Sequence, residues 1–374
     1  MGGIRDNYYV NIYNTVTYLI LYNCIVQIAA IDYDDREMYD HDDMSDEDLG
    51  GGRHESDDDE ETKEGKESKE SDWEEIQLEQ KETMNKGWKP PLVTEHKLES
   101  KVLNIPENAA LVEKFKIMTG DMFELGIKYT NLYAKQVKRA GWRELDEIEF
   151  AGFLGSLVLM GRKGVSRADA FRESYWGDPL LKQAFGERRF TDIVACLHFV
   201  DNETVDRKTR QKDCFWKLRP LIDSLNETFN NHYSPSNELG IDEMMTKFKG
   251  RSRAKQYNPA KPIKRGYKTF ALCESQTGYV LRFHPYQGKE TEREDESLAH
   301  YAITKLLQPT KYHHCGHIVG MDNWFSNMPS IVRCKEEWGI DLNFTLRRGR
   351  KGFPTRDQLT LGRVLRGTYI YYFG

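Results

Sequence analysis

Two carboxylates set at the ends of apolar runs carry the strongest chemical signal of the chain. Asp242 follows Leu239-Gly240-Ile241 and precedes Glu243, whereas Asp322 follows Ile318-Val319-Gly320-Met321 and precedes Asn323-Trp324-Phe325. Each run has the character of a buried strand that delivers an Asp at its tip, and the two Asp residues lie eighty positions apart. An unpaired charge beside apolar neighbours is costly, and two such tips side by side repel unless a cation sits between them. Oxygen ligands of that kind suit Mg²⁺ or Mn²⁺, ions that serve metal-assisted phosphoryl chemistry. The plainer reading makes both residues strand-end turn positions. Glu243 would face away from Asp242 on a strand and stays outside the metal set.

The residues after Asp242 favour the chemical reading. From Met244 to Cys273 there is no acidic residue, while Lys247, Lys249, Arg251, Arg253, Lys255, Lys261, Lys264, Arg265 and Lys268 are interleaved with Phe248, Tyr257, Tyr267 and Phe270. A cationic, aromatic-bearing ribbon beside metal-type carboxylates is what a nucleic-acid backbone calls for. The alternative is a solvated basic loop. Arg347, Arg348, Arg350 and Lys351 form a second basic cluster, a backbone contact or a nuclear-localisation patch.

Charge divides the chain into an acidic arm and a basic body. Residues 32–82 hold 24 Asp and Glu against 6 Lys and Arg, a net of −18, so the whole-chain −6 leaves +12 elsewhere. That arm has too little apolar surface to offset its ordering entropy and is expected to be disordered. The 6 cysteines are scattered with no Cys-x-x-Cys pair, which points to reduced thiols rather than a disulfide scaffold. His313-His314-Cys315-Gly316-His317 lacks a second Cys/His cluster to complete a tetrahedral zinc site. Residues 16–31 are apolar but broken by Asn23 and Gln27, too short and polar for a membrane span. The alternative reading of these residues is membrane or secretory targeting. No membrane association and no small-molecule substrate are expected.

The elements that must position the two carboxylates follow from periodicity. From Ala109 to about Tyr233 the pattern is helical: Asp146 with Glu149 predicts a capping box ahead of Phe150 to Met160, a helix apolar nearly all round. Phe190, Ile193, Val194 and Leu197 share a face, as do Leu218, Leu221, Ile222, Leu225 and Phe229, with Pro220 acceptable in a first turn. After Ser234-Pro235-Ser236 the period changes to strands at Leu239 to Thr246, Tyr267 to Cys273 and Tyr279 to His284, the last two joined by a turn ending at Gly278. A helix through Leu298, Ala302, Ile303 and Leu306, the strand ending at Asp322, a helix from about Ile331 to Trp338 and a strand over Asp341 to Leu346 complete the series. Strand, hairpin, helix, strand, helix, strand predicts an α/β fold with a ribonuclease H-like mixed sheet, whose first and fourth strands lie adjacent and present one Asp each.

With these motifs in view, the chain resembles the piggyBac transposases and their domesticated derivatives. The likeness runs from about Leu111 onward through Leu159-Met160-Gly161, Tyr175-Trp176, Arg189-Phe190, Cys196-Leu197-His198-Phe199 and Lys217-Leu218-Arg219-Pro220-Leu221-Ile222. It continues through Ile241-Asp242-Glu243-Met244-Met245, Lys261-Pro262, Lys264-Arg265-Gly266, Asp322-Asn323-Trp324-Phe325-Ser326 and Arg350-Lys351-Gly352-Phe353-Pro354. The resemblance implies a helical dimerisation and DNA-binding domain ahead of a ribonuclease H-like core. It also implies three aspartates holding two divalent metals for cut-and-paste transposition at TTAA targets. Asp242 and Asp322 match the first and second of those aspartates. The expected layout is an apolar segment at 1–31, an acidic tail and linker at 32–105, a helical domain at 106–238 and a C-terminally truncated transposase domain at 239–374. No Gly-Gly-Val-Asp stretch for a third Asp occurs, and neither Asp341 nor Asp357 stands in its context. Loss of that ligand is expected to abolish turnover, so whether the chain is an enzyme stays open. Three functions remain: a metal-dependent transposase, a non-catalytic nuclear DNA-binding derivative and a homodimerising interaction module.

Overall fold

In a computed structural model the described residues are 98–346, apart from Glu107, 172–178, Lys249, Arg251, Ala260 and 289–296. The apolar segment at 16–31, the acidic arm at 32–82, the Tyr175-Trp176 pair, the basic cluster after Leu346 and Asp357 lie outside them.

A short strand β1 (Lys101–Val102) leads into helices α1 (Leu111–Met118), α2 (Met122–Gln136), α3 (Glu147–Lys163), α4 (Arg167–Phe171) and α5 (Pro179–Ala184). Next come α6 (Glu187–Cys196), α7 (Arg207–Lys212) and α8 (Arg219–Asn231), then β2 (Tyr233–Ser234), which pairs antiparallel with β1. The predicted apolar faces are buried: Phe190, Ile193, Val194 and Leu197 along α6, and Leu218, Leu221, Ile222, Leu225 and Phe229 along α8. Pro220 sits in the first turn of α8, where its missing N–H costs nothing.

Helix α3 departs from expectation twice. Asp146 caps it by accepting a 2.8 Å hydrogen bond from the Glu149 N–H, but the Glu149 carboxylate does not complete the box. It is drawn instead to the guanidiniums of Arg189, at 2.8 and 2.5 Å, and Arg143, at 2.8 Å. Charge-assisted bonds to two cations outcompete one backbone amide. Nor is the helix buried all round. Phe150, Phe153, Leu154, Leu157 and Met160 fill the core, while Ile148 stands 85% exposed.

The remaining strands form one mixed sheet: β3 (Glu238–Lys247), β4 (Gln256–Tyr257), β5 (Arg265–Glu274), β6 (Val280–Pro285), β7 (Ile318–Met321) and β8 (Asp341–Phe344). The order across it is β6-β5-β3-β7-β8, with β4 lying beside the start of β5 on the edge that β6 also uses. β3, β5 and β6 run antiparallel, while β7 joins β3 and β8 joins β7 in parallel. Helix α9 (Leu298–Leu307) is the crossover that parallel pairing demands, and it packs on β5 and β6. This is the ribonuclease H-like order expected from the pattern of elements.

Gly278 at φ +71° closes the β5–β6 turn, with its N–H bonded to the Glu274 carbonyl at 2.9 Å. The helix expected from Ile331 begins earlier, as α10 (Met328–Val332), because Asn327 accepts from the Ser330 N–H at 2.9 Å and Pro329 fixes the first turn. It continues as a π-helical turn over Arg333–Glu337. The last strand ends at Phe344 rather than Leu346.

One cluster of buried side chains runs from Met118 through both the helices and the sheet to Ile340. Helix α8 is stitched to the outer edge of β6 by Asn226, whose side chain donates to the Phe283 carbonyl at 3.0 Å and accepts from the Phe283 N–H at 2.9 Å. That amide satisfies a stretch of edge backbone which would otherwise be open to pairing.

A wholly buried carboxylate, Glu274, sits where β2 meets the β5–β6 turn. It accepts from the Tyr233 hydroxyl at 2.6 Å, from the Ser236 N–H at 2.9 Å and from the Thr277 hydroxyl. Burial alone would raise its pKa, but those donors outweigh it and hold the value below that of a free glutamate. A carboxylate depressed in the fold lends stability that is complete above its unfolded pKa, near 4.3, and is lost as pH falls through the folded value. Tyr233→Phe is therefore expected to destabilise the chain by about 1–3 kcal/mol at neutral pH, with a smaller difference once Glu274 is protonated. Urea unfolding at neutral pH and below about pH 4 checks both parts.

Candidate metal and nucleic-acid site

The register between β3 and β7 builds the site. It pairs Glu238 with Ile318, Leu239 with Val319, Gly240 with Gly320 and Ile241 with Met321. One step further on the two chains stand Asp242 and Asp322. Two segments eighty residues apart thus carry their aspartates directly after the last β3–β7 pair, Asp242 within β3 and Asp322 just past the end of β7. Leu239, Ile241 and Val319 are buried beneath, whereas both Asp residues are exposed.

Local hydrogen bonds hold one oxygen of each carboxylate. Asp242 Oδ1 accepts from the Glu243 N–H at 2.7 Å, and Asp322 Oδ1 accepts from the Trp324 N–H at 2.9 Å. The two residues offer hard, solvent-exposed oxygen donors, the chemistry that a divalent cation such as Mg²⁺ or Mn²⁺ takes. Among the described residues no group of three or more His, Cys, Asp and Glu is placed to hold a metal. Asp242 and Asp322 are the residues that would hold such an ion.

Glu243, one residue on, opposes Phe270 in the β3–β5 ladder. It forms an ion pair with Lys261 at 2.9 Å, and its side chain is 11% exposed. Lys268 lies over the Trp324 ring at 4.2 Å and the Phe270 ring at 5.0 Å, and Trp324 stacks on Phe270. Burial lowers the Lys268 pKa, opposed by the charges of Glu243, Asp322 and Asp242. The bond to Glu243 raises that of Lys261, and Asp242 and Asp322 add to the effect. Three carboxylates and two ammoniums thus share one field.

The cationic ribbon separates into groups. Lys247 and Lys264 are exposed, and so is Arg265, whose guanidinium lies 4.7 Å from the Tyr257 ring. The pairing of Lys247 with Gly266 brings these three to one end of the β3–β5 hairpin. Exposed Arg253 donates to the Gln211 carbonyl at 2.6 Å and meets Cys214 Sγ at 3.3 Å. Lys255 donates to the Gly250 carbonyl at 2.8 Å. Lys261 and Lys268 belong to the carboxylate cluster, while Lys249 and Arg251 lie outside the described residues. Sequence reasoning missed the roles of Glu243 and Trp324. The alternation of side chains that set Glu243 aside also places it on the Lys268 face, and that was the available signal.

The histidine cluster does not converge on a metal. His313 stacks on Trp338 at 5.0 Å and engages the Leu307 carbonyl, His317 is buried, and His314 takes φ 57° in the turn.

A central sheet of this order, with one aspartate within its first strand and another just past the end of the adjacent fourth, defines the ribonuclease H-like class of fold. A sequence model of the family described as Transposase IS4 matches residues 115–374. The chain belongs to that family, among the piggyBac transposases and the proteins derived from them. It is 31% identical over 258 residues to the human PiggyBac transposable element-derived protein 3, covering 67% of this chain and 42% of that protein. Human PiggyBac transposable element-derived protein 2 is 28% identical over 259 residues, covering 64% and 42%. The chain thus spans less than half the length of these curated relatives. A cryo-EM structure of the piggyBac transposase synaptic complex with hairpin DNA superposes with TM-score 0.64 at 24% identity, covering 74% of this chain and 59% of that one.

With no cation present, the adjacent aspartates repel. Asp242→Asn and Asp322→Asn keep the oxygen that accepts the backbone N–H and remove the charge. Each is expected to leave the melting temperature in chelator unchanged or raised. Added Mn²⁺ should raise it for the wild-type chain and not for the variants, since a ligand that binds the folded state alone stabilises it. Differential scanning fluorimetry in chelator and in Mn²⁺ reads both.

Proposed function

We propose that this chain is a nuclear, DNA-binding member of the piggyBac-derived proteins whose Asp242 and Asp322 hold a divalent cation, Mg²⁺ or Mn²⁺, against a DNA phosphate. The observation that supports the reading is the parallel β3–β7 register, whose last pair, Ile241 with Met321, is followed on each chain segment by an aspartate. The exposed cations Lys247, Lys264 and Arg265 at the end of the neighbouring hairpin support it, as does the DNA in the related synaptic complex. When bound, the cation would polarise the phosphodiester and acidify a bound water. The chain's own part is to fix the carboxylates through the Glu243 and Trp324 amides and to draw the backbone in with the hairpin cations.

Cleavage asks for more than two ligands. Among the described residues no third carboxylate joins Asp242 and Asp322 in a metal-holding group, so the activity proposed for the described part of the chain is DNA binding without strand transfer. The helical region from 106 to 238 supplies a surface for pairing of two copies, a homodimer being the assembly the family resemblance implies.

Duplex binding should weaken steeply with salt. Neutralising Lys247, Lys264 and Arg265 together is expected to flatten the slope of log affinity against log salt by about two to three. Fluorescence anisotropy across a salt series measures it, and a salt-independent interaction would count against DNA as the partner. Incubation of the purified chain with transposon-end DNA in Mg²⁺ should yield no nicks. Nicking that disappears in Asp242→Ala would instead restore the chain to the enzymes.

A further inference from the structure

The loop between β4 and β5 delivers an ammonium to Glu243, the residue that follows Asp242 on β3. Its backbone is tied by the Asn258 N–H to the Lys264 carbonyl at 2.8 Å and by the Lys261 N–H to the Asn258 carbonyl at 3.4 Å. Lys261 projects from this closed loop onto Glu243 at 2.9 Å, with one third of its side chain exposed. The remaining oxygen of Glu243, Oε2, is buried and without a hydrogen-bond partner among the described residues. A buried carboxylate satisfied on one oxygen alone is poorly accounted for as a stabilising device, because its desolvation is not repaid. As a device for placing a cation it is intelligible.

We propose that Glu243 is a positioning residue that holds Lys261 beside Asp242 and Asp322, so that the Lys261 ammonium takes a phosphate oxygen of the strand bound there. The proposal rests on DNA as the partner and adds to it a division of labour. Lys268 is covered by Trp324 and Phe270 and serves the fold. Lys261 is reachable, and the negative charges of all three carboxylates act on it. In the free protein its charge offsets part of the aspartate repulsion. A cation arriving on Asp242 and Asp322 meets that like charge, and this leaves the ammonium better matched to an incoming phosphate than to the carboxylates.

Two variants of the whole chain test this, with Mn²⁺ and a plain duplex as probes. Lys261→Met removes the ammonium. It should lower the salt slope of duplex binding by about one and tighten Mn²⁺ in the absence of DNA by about threefold to tenfold, through loss of a nearby like charge. Glu243→Gln keeps Lys261 but frees it. The slope should again fall, while Mn²⁺ binding weakens through loss of a negative charge. A plain structural ion pair would show neither response, only a lower melting temperature in both variants. Unchanged slope and unchanged Mn²⁺ affinity in Lys261→Met would overturn the proposal, and so would a steeper slope in Glu243→Gln, which is what simple removal of repulsion gives. If the wild-type chain binds DNA and Lys261→Met matches it, the phosphate role alone fails. A wild-type chain that ignores DNA sinks the wider reading as well.

Discussion

The parallel pairing of β3 with β7 is the constraint on which the rest of the molecule depends. Side chains alternate along a strand, so a slip of one residue would send Asp322 to the opposite face from Asp242. The register is fixed at the other end of the pair. Asn237 accepts the Leu98 N–H at 2.6 Å, donates to the Gly316 carbonyl at 2.9 Å and receives the Ile318 N–H on its own carbonyl at 2.8 Å. One residue ahead of β3 therefore clamps the approach to β7 and the segment that leads into the helices. The carboxylates stand several residues beyond this clamp, carried by the buried run Leu239, Ile241 and Val319.

Holding two like charges together has an electrostatic consequence that reaches Lys268. A largely buried ammonium loses hydration and would be expelled or neutralised if it stood alone. Here the ring faces of Trp324 and Phe270 lie against it, and the field of Glu243, Asp322 and Asp242 offsets part of the loss. The same field that makes the aspartates hard to assemble works against the loss of charge that burial favours on Lys268. Trp324 belongs to this balance, since the turn that bonds its N–H to Asp322 also lays its indole on Phe270.

Much of this was legible in the residues. The order of elements, the buried faces of α6 and α8 and the adjacency of the two aspartate strands follow from apolar period and turn residues, which act locally. Sequence patterns failed where partners far apart in the chain compete. Glu149 has the spacing of a capping box, yet Arg189, forty residues on, wins its carboxylate. Composition showed nine cations between Met244 and Cys273 as one ribbon, but could not separate those facing solvent from Lys255, Lys261 and Lys268, which bond inside the structure. Gly266 in Lys264-Arg265-Gly266 has a cause that only the pairing of β3 with β5 supplies. A Cβ there would lie 1.8 Å from the Thr246 carbonyl oxygen, so the glycine lets the two strands approach at the base of the cationic hairpin.

That close approach links the two chemical features of the chain. Lys247 follows Thr246, and Arg265 precedes Gly266, so the strand contact that excludes a side chain at 266 also sets the exposed cations. Along the same β3 strand, Thr246 lies four residues beyond Asp242, a rise of roughly 13–14 Å. That distance exceeds the Debye length of about 8 Å at physiological ionic strength. Salt therefore screens the hairpin cations from the carboxylates, while Lys261 and Lys268, held within the cluster, are screened far less. Backbone attraction at the hairpin and charge balance at the aspartates can accordingly be altered one at a time.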